Sequence, residues 1–220
     1  MTKKLTPLDI AECAPLPSVA ATLVRLRHKQ SLQSLVVTSC NQGEGKTTVA
    51  LQLARAAAIE AELSVLLIDA NPAHPELAEL FGYRPTPGFV DVLDGQARAD
   101  EVVCATAIKG LDLVPFGGMH PGRGSRYEPE HLRGKLAEIR ADGGPAGYDL
   151  LILDGPSSFG ELDLTLSAAV FDGVVLVIEC ERTRWEVVKN YQDRLREGNA
   201  NLLGAVMNKR RYYIPKSLYV

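Results

Sequence analysis

Residues 34–58 read SLVVTSCNQGEGKTTVALQLARAAA. An apolar, β-branched run ends at Ser39, a glycine-rich segment follows, and an Ala/Leu-rich stretch with helical spacing begins at Thr47. Strand, loop and helix in that order are the context a phosphate-binding loop requires. Gly43 and Gly45 let the backbone turn tightly, so that successive N–H groups point at phosphate oxygens. The helix start adds a dipole that favours anions. Lys46 is placed to bridge β- and γ-phosphates, and the Thr47 hydroxyl to coordinate Mg²⁺. Gly43, Glu44, Gly45, Lys46, Thr47 and Thr48 are therefore the candidate nucleotide contacts. The first glycine of a full GxxxxGK[ST] pattern is replaced by Cys40, which reads either as a redox-sensitive thiol or as a small buried residue.

Two further runs end in a carboxylate. SVLLI leads into Asp69, and YDLLIL leads into Asp154. In an open α/β sheet the C-terminal ends of the strands line the ligand crevice. A phosphate-loop enzyme needs carboxylates there to hold Mg²⁺ and to orient a nucleophile. Either Asp alone also reads as a strand-end turn or a cap. With GEGKTT the two form a constellation, which is more specific than any one part.

Outward from these segments, nearly continuous apolar runs recur at 32–39, 64–70, 111–117, 148–155, 173–180 and 201–209. Such runs mark strands buried on both faces. Helix-like stretches lie at 47–63, 131–141, 161–170 and 184–198. The alternation predicts an α/β fold, a doubly wound, mostly parallel sheet flanked by helices, as in P-loop NTPases. GYRPTPG (82–88) and GGMHPGRGSRYEP (117–129) read as loops.

The 220 residues suit one domain over 1–208, with an N-terminal helical segment over 1–31 and a tail over 209–220. Apolar residues make up 46% and charged residues 23%, which excludes wholesale disorder. A net charge of −3 argues against a nucleic-acid partner. No apolar run reaches the roughly 18–20 residues of a membrane helix, and the first residues do not form a signal peptide. Four cysteines without a CxxC pair support neither a metal site nor a disulfide framework, and read as reduced cytosolic thiols.

The tail reads KRRYYIPKSLYV. It holds Tyr212, Tyr213 and Tyr219, three of the seven tyrosines, beside Lys209, Arg210, Arg211 and Lys216. Tyrosines on a terminal segment can reach a neighbouring copy. The same composition also suits an anionic lipid surface or a segment packed on the domain.

GEGKTT, LLIDAN, YDLLILDGPS and the connecting segments PELAELFG, PGFVDVLDG and GLDLVPFGG together resemble the bacterial tyrosine autokinases of capsule and exopolysaccharide systems. These belong to the MinD/ParA-like P-loop ATPases. The resemblance runs from about Leu35 to Asn208. It makes GEGKTT a Walker A loop, LLIDAN a Walker A′ motif and YDLLILDGPS a Walker B motif. It implies an ATP- and Mg²⁺-dependent tyrosine autokinase that regulates polysaccharide polymerisation and export. In that reading Lys46, Asp69 and Asp154 are catalytic, and Thr47, Asp69 and Asp154 serve the metal. Asn208 touches adenine, and Tyr212, Tyr213 and Tyr219 accept phosphate from another copy in a homo-oligomer. The implied partner is a membrane chain-length-determinant (polysaccharide co-polymerase) protein as activator, with the kinase cytoplasmic and peripheral at the inner membrane face.

Three segments differ from the family's usual pattern. Asp69-Ala70-Asn71 stands where Asp-x-Asp is usual, and an amide lacks the second charge. Residues 17–29 carry Arg25 and Arg27 without the glutamate of the family's assembly helix. The loop after LVPFGG carries Arg123 and Arg126. Two other functions share this fold: a non-catalytic nucleotide-binding regulator and a MinD/ParA-like ATPase. Asn41, where those ATPases carry a signature lysine, points away from the latter.

Overall fold

The computed structural model describes residues 31–118, 127–141, 147–157 and 168–210, together with positions 21, 22, 24 and 25. Most of the N-terminal segment, Arg123, Arg126, most of the helix expected over 161–170, and Tyr212, Tyr213 and Tyr219 lie outside the described residues.

Seven strands form one sheet. They are β1 (Ser34–Ser39), β2 (Val65–Asp69), β3 (Cys104–Ala105), β4 (Leu111–Val114), β5 (Leu150–Ser157), β6 (Gly173–Glu179) and β7 (Leu202–Asn208). Their order is β3-β4-β2-β5-β1-β6-β7. Every neighbouring pair is parallel except the short β3–β4 pair at one edge. The helices are α1 (Lys46–Ile59), α2 (Leu77–Phe81), α3 (Phe89–Leu93), α4 (Ala99–Val102), α5 (Pro129–Ala141) and α6 (Trp185–Glu197), and a 3₁₀ turn spans Ala168–Val170.

Alternation along each central strand explains the continuous apolar runs. Leu35 and Val37 of β1, Val65 and Leu67 of β2, and Leu150 and Ile152 of β5 face α1. Val36, Leu66, Ile68, Leu151 and Leu153 face the opposite core with α3, α5 and α6. Helix α1 meets the sheet through Ala50, Ala54 and Ala57, whose small side chains allow close approach, and through Val49, Leu51 and Leu53. Truncating a buried leucine such as Leu53 to alanine in such a core costs about 2–5 kcal/mol.

Among the described residues the sequence pattern places the long strands and the helices near 47–63, 131–141 and 184–198 and misses small elements, while of the helix expected over 161–170 only the 3₁₀ turn Ala168–Val170 is described. Helix α1 stops at Ile59 rather than 63. Helix α5 starts at Pro129, two residues before the predicted position, because proline is favoured in a first helical turn. Helices α3 and α4 and the two-residue β3 occupy stretches without a full period of apolar pattern. Among the described residues no helix is long and apolar enough to cross a membrane.

Candidate functional site

Strands β2, β5 and β1 are consecutive in the sheet, so the Asp69 end, the Asp154 end and the loop after β1 emerge side by side. Asp69 and Asp154 are register partners across β2 and β5. The loop Cys40–Gly45 then leads into α1, whose N-cap is Gly45 at φ 90°. That left-handed conformation suits glycine, and Asn208 Nδ2 packs where a Cβ at Gly45 would stand. The Lys46 side chain is buried at 6% exposure, at the mouth where the two carboxylates end.

The loop is braced from outside its own segment. Glu44 is buried, and its carboxylate accepts from Asn41 N at 3.1 Å and Asn41 Nδ2 at 3.0 Å, and also from the Thr183 hydroxyl. Asn208 Nδ2 donates to the Glu44 carbonyl at 2.8 Å. Lys209 Nζ donates to the Gly43 carbonyl and to Glu179 Oε2, the latter at 3.2 Å. Asn208 therefore reaches the loop from the end of β7. Cys40 is 3% exposed, and burial together with the Glu44 charge pushes its thiol up to about 12, the condition of an inert small residue.

The carboxylates differ in their partners. Asp69 Oδ1 accepts from Asn71 N and Oδ2 from Leu77 N, both at 3.1 Å. Burial, and then the Asp154 charge, push Asp69 up to about 8 against those two donors and Lys46. Asp154 is pushed up to about 6 by burial, while the Lys46 ammonium and then the nearby Thr47 hydroxyl favour its charged form. Neither Asp154 oxygen reaches hydrogen-bonding geometry with a protein donor. A buried carboxylate without a donor is costly, and a hard cation accepts such oxygen ligands. Asp154 and the Thr47 hydroxyl therefore fit Mg²⁺, with Asp69 beside them.

Asn71 is 1% exposed. Its Nδ2 donates to the His74 carbonyl at 3.1 Å, which fixes the amide with Oδ1 left unpartnered. The side chain thus offers a neutral oxygen in a defined orientation. Among the described residues no group of three or more His, Cys, Asp or Glu side chains gathers as a metal cluster.

The sequence reading offers Gly43, Glu44, Gly45, Lys46, Thr47, Thr48, Asp69, Asp154 and Asn208 as candidates, and the structure gathers them at one edge, with Thr48 in the first turn of α1. The sequence reading misses Thr183, which holds Glu44 across 139 positions, and no local pattern announces such a contact. It also passes over Ser157, three residues beyond Asp154, because Gly155-Pro156 reads as a turn, whereas β5 runs through it to Ser157.

Comparison with known proteins adds the lineage. Residues 31–218 match a ParA family profile described as NUBPL iron-transfer P-loop NTPase. The tyrosine-protein kinase YwqD of Bacillus subtilis is 32% identical over 182 residues, 83% of this chain and 74% of that one. The VpsO kinase domain superposes with a TM-score of 0.74 at 28% identity, covering 88% of this chain and 95% of that one. MinD of Pyrococcus horikoshii, complexed with Mg-ADP, gives a TM-score of 0.61 at 21% identity over 80% of this chain and 69% of its own, a likeness of fold. The profile spans most of the chain and the kinase relatives match along its length, so the chain belongs to the ParA-like P-loop NTPases and, within them, to the bacterial tyrosine-protein kinases.

Proposed function

We propose that this tyrosine kinase uses ATP and Mg²⁺ and transfers the γ-phosphoryl group to Tyr212, Tyr213 and Tyr219 on the tail of a second copy. The observation that carries the reading is the meeting of Lys46 with Asp69 and Asp154, register partners on β2 and β5. Loop N–H groups and Lys46 hold the phosphates. Thr47 and Asp154 hold Mg²⁺, which supplies charge to offset the phosphates. The phenol oxygen bonds to the γ-phosphorus as the bond to ADP breaks, and the phenol proton passes to Asp69. Two backbone donors orient the Asp69 carboxylate. The Asn208 side chain, beside the loop, is the adenine contact.

A membrane chain-length-determinant protein is the proposed activator, and it would hold the kinase at the inner membrane face. In that setting phosphorylation regulates exopolysaccharide assembly. Intact mass of the recombinant chain, before and after phosphatase, tests the central point. Phosphatase-sensitive steps of one phosphate are expected, and Lys46→Met should abolish them. An unmodified mass that ATP, Mg²⁺ and the activator leave unchanged would overturn the kinase reading in favour of a nucleotide-binding regulator.

A further inference from the structure

Four buried side-chain atoms lack a hydrogen-bond partner among the described residues: Asn71 Oδ1, Asp154 Oδ1, Asp154 Oδ2 and Ser157 Oγ. All four belong to the ends of β2 and β5, although buried polar groups elsewhere are paired. Their chemistry divides them. The Asn71 and Asp154 atoms are acceptors, suited to a cation or its waters. Ser157 Oγ alone can donate, and a donor suits an anionic oxygen.

Ser157 is 8% exposed. Strand β5 continues past Asp154 because the β1–β5 register shifts between Val37 and Ser39, which brings Ser157 opposite Ser39, the last residue before the phosphate loop. The strand is anchored one residue earlier. Thr38 Oγ1 donates to the Pro156 carbonyl at 2.8 Å and lies 2.7 Å from Tyr191 Oη. Ser157 therefore stands beside the start of the loop, on the strand that also carries Asp154. Lys46 reaches the β- and γ-phosphates from the helix start, and the outermost phosphate carries further oxygens that a donor beside the loop can meet.

We infer that Ser157 is a further binding residue of the nucleotide site, donating its hydroxyl hydrogen to an oxygen of the terminal phosphoryl group. The inference rests on the ATP-binding reading above and adds to it the means of telling triphosphate from diphosphate.

Calorimetry with Mg²⁺ and either a non-hydrolysable ATP analogue or ADP decides it. Ser157→Ala should weaken the triphosphate by roughly tenfold or more, the effect of one hydrogen bond to a charged group, and leave ADP nearly unchanged. The same variant should unfold at a higher temperature than wild type without nucleotide, since it removes a buried hydroxyl that has no partner. Ser157→Thr should keep triphosphate affinity. Ser157→Cys, which keeps the volume and replaces the strong donor by a weak one, should reproduce the triphosphate loss if the alanine variant does not fold. Equal losses for both nucleotides, or no loss for either, would overturn the assignment while the ATP reading stands. Wild-type protein that binds neither nucleotide would overturn both.

Discussion

Where the strands begin, Asp172 lies exposed and engaged: its Oδ2 accepts from Gln33 N and Ser34 N at 2.8 Å each and from Ser34 Oγ at 2.9 Å. Asp149 at the same edge accepts from Ser64 N at 3.0 Å. At the opposite edge Asp154 is fully buried and neither oxygen meets a protein donor in hydrogen-bonding geometry, although the Lys46 ammonium and the Thr47 hydroxyl lie nearby. One residue type thus holds β1 to β6 at one end of the sheet and stands exposed to a ligand's charge at the other. Pairing in solvent marks the edge that stabilises the fold, and at the other edge the buried Asp154, beside the hydrogen-bonded Asp69, keeps both oxygens free of protein donors.

The strongest way to test that contrast is to remove the unpaired charge. Asp154→Asn should fold and lose about 10²–10⁴-fold or more in tail phosphorylation, as should Asp69→Asn. Rates of phosphotyrosine formation by mass spectrometry decide this, and wild-type turnover in either variant would dissolve the proposed division between the edges. In wild type, chelating Mg²⁺ should have the same effect.

The second test uses pH. An ordinary aspartate titrates near about 4, whereas Asp154 is pushed up to about 6 and Asp69 to about 8, chiefly by burial. Between those limits the folded chain binds more protons than the unfolded one. The stability from these groups is therefore complete below about pH 4 and is lost as pH rises through about 6 and then about 8. The nucleotide-free protein in chelator should lose on the order of a few kcal/mol across that window. Asp154→Asn should flatten the slope, and Mg²⁺ with nucleotide should restore stability at pH 8. Unfolding temperature against pH for both proteins gives the measurement, and parallel curves would show that Asp154 carries no such penalty.

These two edges also differ in how far the sequence displays them. GEGKTT, LLIDA and LILDG are local strings, and each positions its own Lys46, Asp69 or Asp154 through a strand end. Their adjacency follows from strand order, which the strings do not contain. The starting edge is invisible locally, because Asp172 meets Gln33 and Ser34 from 139 and 138 residues away. The brace of Thr183 on Glu44 is hidden for the same reason. Short helices such as α3 escape because five residues hold little more than one turn of periodicity. The orientation of Asn71 depends on the His74 carbonyl, a detail that residue type alone does not give.

Asn71→Asp probes that detail. Read as a string, Asp69-Ala70-Asn71 is a kinase motif missing a carboxylate, and restoring it should raise activity. The structure predicts otherwise. A carboxylate cannot donate to the His74 carbonyl, and it adds a third buried acid beside Asp69 and Asp154. The nucleotide-free variant should lose about 1–3 kcal/mol. Tail phosphorylation across a Mg²⁺ titration should not rise, and a clear gain would show that Asn71 is a deficit rather than an adapted neutral ligand.

The smallest effect is expected at the paired edge, and it runs in the opposite sense. Asp172→Ala removes the acceptor for two backbone N–H groups and one hydroxyl, but solvent reaches that edge and can replace much of what is lost. A destabilisation of about 1 kcal/mol follows. Asp172→Asn keeps one acceptor oxygen for the same donors and should cost less. Neither change touches the edge where Lys46 and Asp154 stand, so phosphorylation rate and Mg²⁺ dependence should match wild type in both. The decisive comparison is therefore a crossed one. Asp154→Asn in nucleotide-free protein at pH 8 should gain stability and lose activity, whereas Asp172→Ala should lose stability and keep activity. If Asp172→Ala instead lowered the phosphorylation rate of fully folded protein, the two ends of β1 and β6 would be coupled through the sheet, and the separation of a structural from a chemical edge would fail.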